Sequence, residues 1–171
     1  MLEKRYFPVL LIFLLSLTWL SGCGVYSFTG ASIPPGAETV SVSHFPNDAS
    51  QVQPTLSQYF TETLQDKFLR QTNLRLVDGV GHLHFEGVIT DYRTEPVAIT
   101  GDDRAARNRL TITVRVSYYN EFDEDADFER AFSRYYEYDS NLSLAEVEDE
   151  AMEVITEELV EDIFNQAVVD W

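Results

Sequence analysis

From Asn108 to Asn120 apolar and polar side chains alternate without a break. Leu110, Ile112, Val114, Val116 and Tyr118 fall on one side; Arg109, Thr111, Thr113, Arg115 and Ser117 fall on the other. A period of two belongs to a strand, and one-sided alternation predicts a sheet with one face covered. Weaker alternation predicts further strands. Glu38 to Phe45 sets Val40, Val42 and His44 against Thr39, Ser41, Ser43 and Phe45, and Pro46-Asn47-Asp48 ends the run with turn chemistry. Asn73 to Val77 reads as a short strand or strand start, stopped by Asp78-Gly79-Val80-Gly81. His82 to Tyr92 reads as a long strand with Leu83, Phe85, Gly87 and Ile89 on one face and His82, His84, Glu86 and Val88 on the other. Asp91 to Ala106, with Pro96 and Gly101-Asp102-Asp103, predicts a loop with room for extended ends. Glu121 to Asp127 is an acidic hairpin loop, and Phe128 to Tyr138 is the returning strand. It is rich in Phe and Tyr, and the pattern does not fix which face points inward.

Two stretches switch to the helical period. Between Pro54 and Gln71 the apolar residues Leu56, Tyr59, Phe60, Leu64, Phe68 and Leu69 recur every three or four positions. Proline suits the first turn, where its missing N–H costs nothing. The last helix opens at Ser143-Leu144-Ala145-Glu146, a capping-box pattern with Leu142 and Val147 placed as a hydrophobic staple. Leu144, Val147, Ala151, Val154, Ile155, Leu159 and Ile163 form its apolar stripe. Its solvent side is acidic, and no Lys or Arg follows Arg134. Packing is therefore expected to hold this helix. The order is strand, helix, three or four strands, helix. It predicts an α+β two-layer sandwich, with two amphipathic helices on one face of a mainly antiparallel or mixed four-stranded sheet. Residues 37–171 form the single domain.

The N-terminus has a different pattern. Lys4 and Arg5 precede an almost unbroken apolar run from Phe7 to Leu20, and Leu20-Ser21-Gly22-Cys23 follows. Those 14 residues fall short of the roughly 20 that span a bilayer as a helix, and the layout is that of a secretory signal peptide. Leu-Ser-Gly-Cys resembles the bacterial lipobox. The resemblance implies cleavage after Gly22, a diacylglyceryl group on the Cys23 thiol and acylation of the new amino group. Residues 1–22 are then a removable leader and 23–36 a lipidated tether, rich in Gly and Pro but carrying Tyr26 and Phe28. No acidic residue follows Cys23 closely, which favours an outer-membrane anchor facing the periplasm.

Charge and cysteine content narrow the function. Losing the leader removes Lys4, Arg5 and Glu3, leaving 10 basic against 28 acidic residues in a mature chain of 149, the 171 less the 22 of the leader. That net of −18 opposes binding to nucleic acid or to an anionic bilayer, so membrane attachment falls to the lipid. Cys23 is the only cysteine, so lipidation leaves no thiol for a disulfide, a zinc–cysteine site or a nucleophile. His82 and His84 share a strand face in a spacing that metal ligands use, but two residues are a weak pattern. No serine sits in a Gly-x-Ser-x-Gly elbow and no phosphate-cradling loop is present. The feature that stands out is Arg93, Arg104, Arg107, Arg109 and Arg115, half of the mature chain's basic residues within one loop-strand unit. They either neutralise neighbouring carboxylates or form a local anion site, since guanidinium pairs with carboxylate and phosphate through two parallel hydrogen bonds.

Several stretches together resemble a known family. Gly22-Cys23-Gly24-Val25-Tyr26-Ser27-Phe28-Thr29-Gly30, Val42-Ser43-His44-Phe45-Pro46-Asn47, Leu56-Ser57-Gln58-Tyr59-Phe60-Thr61-Glu62 and Asn108-Arg109-Leu110-Thr111-Ile112 look like LptE, the lipopolysaccharide-assembly lipoprotein, in its Bacteroidetes-type form. The resemblance implies a two-layer sandwich of two helices on a sheet. It also implies a non-enzymatic lipoprotein seated in an LptD-type outer-membrane barrel, with lipopolysaccharide as a second partner. On this reading Cys23 is the lipid attachment site, no cofactor or metal is expected beyond that covalent lipid, and Arg93, Arg104, Arg107, Arg109 and Arg115 are the candidate contacts to the barrel or to lipopolysaccharide. The competing readings are a lipid-anchored periplasmic scaffold or binding module with another envelope partner and, more weakly, a lipoprotein hydrolase.

Overall fold

The structure, a computed structural model, describes residues 32–51, 53–97 and 106–168. In chain order the elements are β1 (Thr39–Val42), α1 (Leu56–Gln71), β2 (Arg75–Leu76), β3 (Leu83–Val97), β4 (Arg107–Asn120), a 3-10 turn (Glu124–Ala126), β5 (Phe128–Asp139) and α2 (Leu144–Val168). The strands form one mixed sheet in the order β2-β1-β3-β4-β5. β1 runs parallel to β2 and β3, while β3, β4 and β5 are antiparallel neighbours. Both helices pack on the same sheet face. The class is therefore the α+β two-layer sandwich expected, with five strands rather than four. The short strand Arg75–Leu76 falls within the stretch Asn73–Val77 read as a short strand or strand start, and its two residues pair with Thr39 and Val40.

β4 reads as its pattern predicts: Leu110, Ile112, Val114, Val116 and Tyr118 are all fully buried. The expected loop between Asp91 and Ala106 is shorter than predicted, because β3 continues to Val97 and pairs there with Arg107. Pro96 is tolerated because β1 runs beside β3 only at Leu83–Phe85. An isolated bridge from Asn47 to Ile89 follows, and past it that side of β3 has no partner among the described residues and needs no donor. A bulge at Ile89/Asp91 moves the inward face from Leu83, Phe85 and Ile89 to Tyr92.

The expected alternation at Glu38–Phe45 fails at its end. Val40 and Val42 are buried, but so is Phe45, which was placed on the opposite face. The strand stops at Val42 and the chain crosses β3 irregularly. Ser43 N–H donates to Phe85 O at 2.8 Å, and Ile89 N–H to Pro46 O at 2.9 Å. The Phe45 ring lies over Gly87, where a Cβ would stand 2.5 Å from the ring, and packs on Phe60 with centroids 5.0 Å apart.

α1 buries Leu56, Phe60, Thr61, Leu64 and Phe68. Leu69, expected in the stripe, is 46% exposed because five residues past Leu64 is most of a half-turn off the face. Its first amides are capped by Gln53, whose Oε1 accepts from Thr55 N–H at 2.6 Å and Leu56 N–H at 3.2 Å. α2 buries a wider stripe than predicted, adding Met152, Val160 and Phe164. It packs on α1 as well as on the sheet, and the Phe68 and Phe164 rings sit 5.0 Å apart. At its start the Glu146 carboxylate accepts from both the backbone N–H and the hydroxyl of Ser143, each at 2.7 Å. This is the glutamate half of the capping box; the Glu146 amide itself donates to Ser143 O at 3.1 Å. Leu142, the staple residue, stays exposed. Partners from other elements compensate for the missing basic residues of α2. Arg134 Nε and Nη2 donate to the two Asp162 oxygens at 2.6 Å each, Lys67 pairs with Glu161, and the Tyr136 hydroxyl donates to Glu150 at 3.0 Å.

Candidate functional site: the helix-free face of the sheet

Both helices cover one face of the sheet, so the other face is open and is the candidate surface for a partner. The β3–β4–β5 register determines its composition. Glu95, Arg109 and Glu137 form one row; Arg93, Thr111 and Tyr135 the next; then Asp91, Thr113 and Ser133; then Val88, Arg115 and Ala131; then Glu86, Ser117 and Glu129. Acids and arginines alternate, so this face is close to charge-balanced in a chain of net charge −17.

Glu137 is the centre of one end. Arg109 Nε donates to its Oε1 at 3.1 Å and Nη2 to the same oxygen at 2.5 Å. Arg107 Nη1 lies 3.6 Å from the other oxygen, and the Arg109 guanidinium rests over the Tyr135 ring, 4.1 Å from its centroid. The hydrogen bond from Arg109 holds the Glu137 carboxyl below the usual carboxylate range, and the same bond raises Arg109. Arg93 pairs with Asp91 and stands 3.7 Å from Glu95. Arg115, opposite Val88 and Ala131, has no ion pair among the described residues. Of the five predicted arginines, the structure therefore places Arg93, Arg107, Arg109 and Arg115 on this face. Arg104 lies outside the described residues, as does Cys23.

This arrangement favours neutralisation over a free anion pocket. Arg93, Arg107 and Arg109 each already face a carboxylate, so an incoming phosphate would compete with Asp91 or Glu137. Among the described residues Arg115 is the arginine on this face with no such competitor. The partners Glu137 and Tyr135 were not singled out from the sequence. Only the β4–β5 register sets them beside Arg109, and the acidic turn between these strands hides that register.

The two histidines are occupied structurally. His82 Nδ1 accepts the Glu38 N–H at 3.0 Å, and His84 Nδ1 lies 2.7 Å from Ser41 Oγ. Among the described residues no group of three or more His, Cys, Asp or Glu side chains is placed to hold a metal ion. Ser41, His84 and Glu86 come nearest to a catalytic triad. Yet Ser41 is 3% exposed and its Oγ accepts the Gly81 N–H at 2.9 Å, while Glu86 stands 3.7 Å from His84 Nε2. A nucleophile needs an accessible oxygen and a hydrogen-bonded orienting acid, and neither is present there.

The fold has relatives among solved structures. A minor lipoprotein from Acinetobacter baumannii is 12% identical over 76% of this chain and 91% of its own, with a TM-score of 0.49. Lipoprotein B from Nitrosomonas europaea is 15% identical over 75% and 80%, with a TM-score of 0.45. Rare lipoprotein B from Shewanella oneidensis is 13% identical over 76% and 90%, with a TM-score of 0.40. These likenesses are too distant to carry function, and no curated protein matches the chain by sequence. The family match is decisive: residues 37–167, from before β1 almost to the end of α2, fit LptE, described as lipopolysaccharide-assembly. The chain is a member of the LptE family of lipopolysaccharide-assembly proteins.

Proposed function

We propose that this protein is the lipid-anchored, non-enzymatic subunit of an outer-membrane lipopolysaccharide translocon, held by Cys23 on the periplasmic side and seated in an LptD-type β-barrel. Membership of the family supports the process, and one observation supports the mode. The helix-free face is broad, polar and charge-balanced, with Arg and Glu interleaved and Tyr119 and Tyr135 exposed. A barrel lumen is a confined polar space. A body entering it with unmatched like charge would bear the desolvation cost of that charge. The open face avoids this, whereas the outer side of α2 carries Glu153, Glu157 and Glu158 exposed. The open face therefore meets the barrel wall, and Arg115 supplies the cation left for a wall carboxylate or a lipopolysaccharide phosphate.

Affinity purification from native membranes in mild detergent tests this. An LptD-type barrel protein should co-purify with the wild-type chain. Arg115→Glu should reduce its recovery several-fold, while Glu153→Lys with Glu157→Lys should leave it unchanged. Absence of the barrel from the wild-type preparation would sink the reading, and loss with the α2 variant alone would place the contact on the wrong layer.

A further inference from the structure

Among the described residues, four large apolar side chains stay exposed at one end of the open face, beside β1, β2 and the β4–β5 turn. They are Leu76, Val80, Tyr119 and Phe122, with Val80 84% exposed. The His82 ring links them, edge-on to Phe122 at 5.2 Å and lining one groove with Val80 and Tyr119. Contiguous exposed apolar surface of this kind marks a place where a partner docks. The surface is also held in place. Val80 sits in the loop 78–81, and three bonds pin the ends of that loop to β1. Val77 N–H donates to Val40 O at 3.0 Å, Gly81 N–H to Ser41 Oγ at 2.9 Å and His82 N–H to Thr39 Oγ1 at 3.0 Å. A Cβ on Gly81 would stand 2.9 Å from the Val40 carbonyl carbon, so a glycine is needed for this close approach. The His84 ring stacks beside Tyr119 with centroids 6.2 Å apart, and the Tyr119 hydroxyl donates to Glu86 at 3.3 Å. Apolar side chains fixed in this way lose little freedom when a partner covers them.

Two grooves flank Val80. One, of about 500 Å³, is lined by Leu76, Val80 and Gln65 among others; the second, of about 470 Å³, by Val80, His82, Tyr119 and Glu124 among others. Among the described residues neither groove is lined by Lys or Arg, whereas Asp78, Glu121, Glu124 and Asp127 line them. Arg75, on β2, is matched by Glu38 at 3.5 Å. We infer that this end of the open face seats a protein segment that offers an apolar side chain flanked by Lys or Arg. The apolar side chain packs against Val80 and Tyr119, and its basic neighbours meet Glu121 and Glu124. Charge selects this occupant. A second copy of the chain would set Glu121 and Glu124 near acids of its own, and like charges across an interface oppose it. The same acids repel the phosphates of a lipid surface. The site lies beyond the charge-balanced rows of β3, β4 and β5. It is a second contact, and it stands whether or not Arg115 meets a barrel.

The test puts the photo-crosslinker p-benzoylphenylalanine at Tyr119 of the full-length chain in intact cells, an aromatic replacement at an exposed position. Irradiation should give an adduct with a protein other than this chain, and mass spectrometry should locate the joined residue on it. Val80→Asp should lower the adduct yield about tenfold, while Val80→Leu should leave it unchanged. Glu121→Lys with Glu124→Lys should also lower it about tenfold. Changing the Lys or Arg beside the joined residue to Glu should then restore the yield in that doubly reversed variant. Val80, Glu121 and Glu124 are exposed, so each variant should keep the wild-type denaturant midpoint. No adduct, an adduct with a second copy or with lipid, a yield indifferent to Val80→Asp, or charge reversal without rescue overturns the inference. If a crosslinker at Ser133 reaches a barrel while that at Tyr119 reaches nothing, this inference falls and the barrel reading stands.

Discussion

Glu137 shows how much one register position decides. It accepts from Arg109 and lies beside Arg107, and its carboxyl is held below the usual range. A group with a lowered folded pKa stabilises above its unfolded value and loses that contribution as pH falls through the folded value. Glu137→Gln should therefore lower the denaturant midpoint most at neutral pH, and the gap from wild type should close as pH falls below the usual carboxylate range. A gap that stays constant with pH would mean that the pair contributes by packing rather than by charge. The arginines themselves were legible as a cluster, but their partners were not. Arg109 meets Glu137 across 28 residues of sequence, through a turn whose 3-10 geometry no periodicity records.

Single-element patterns were legible where one face alone is covered. β4 lies between two strands with a helix layer on one side only, so its alternation survives intact. β5 does not read this way, because among the described residues it is the last strand of the sheet. Its inward face is Phe128, Arg130, Phe132, Arg134, Tyr136 and Tyr138, and two arginines can point inward only because α2 offers Asp162 and Gln166 at the rim. The same rim contacts explain how so acidic a helix is held without basic residues of its own. Packing still dominates there. Ile155→Ala, at a fully buried position, should cost roughly 2–5 kcal/mol. Ser143→Ala should cost under about 1 kcal/mol, because the Ser143 backbone N–H keeps its bond to Glu146. Denaturant midpoints of the domain check both; equal losses would mean that α2 is held by its cap rather than by its stripe.

At the scale of the whole molecule, a helix layer covers one sheet face and leaves the other open, while the acidic excess lies mainly on α2 and the β4–β5 turn. This division of charge is compatible with a chain of net −17 belonging to a lipopolysaccharide-assembly family: the face proposed to meet the partner is not where the excess sits. The anchor is a separate matter of the leader. Cys23→Ser should leave the precursor uncleaved or the product soluble, and mass spectrometry of the mature N-terminus should show three acyl chains on wild-type Cys23; cleavage elsewhere would remove the lipoprotein reading. The central claim is that the helix-free face meets the barrel. A photo-crosslinking residue at Ser133 or Ser117, on that face, should give an adduct with an LptD-type barrel in intact cells, and one at Glu157 on α2 should give none. Adducts from Glu157 with none from Ser133 or Ser117 would contradict the account.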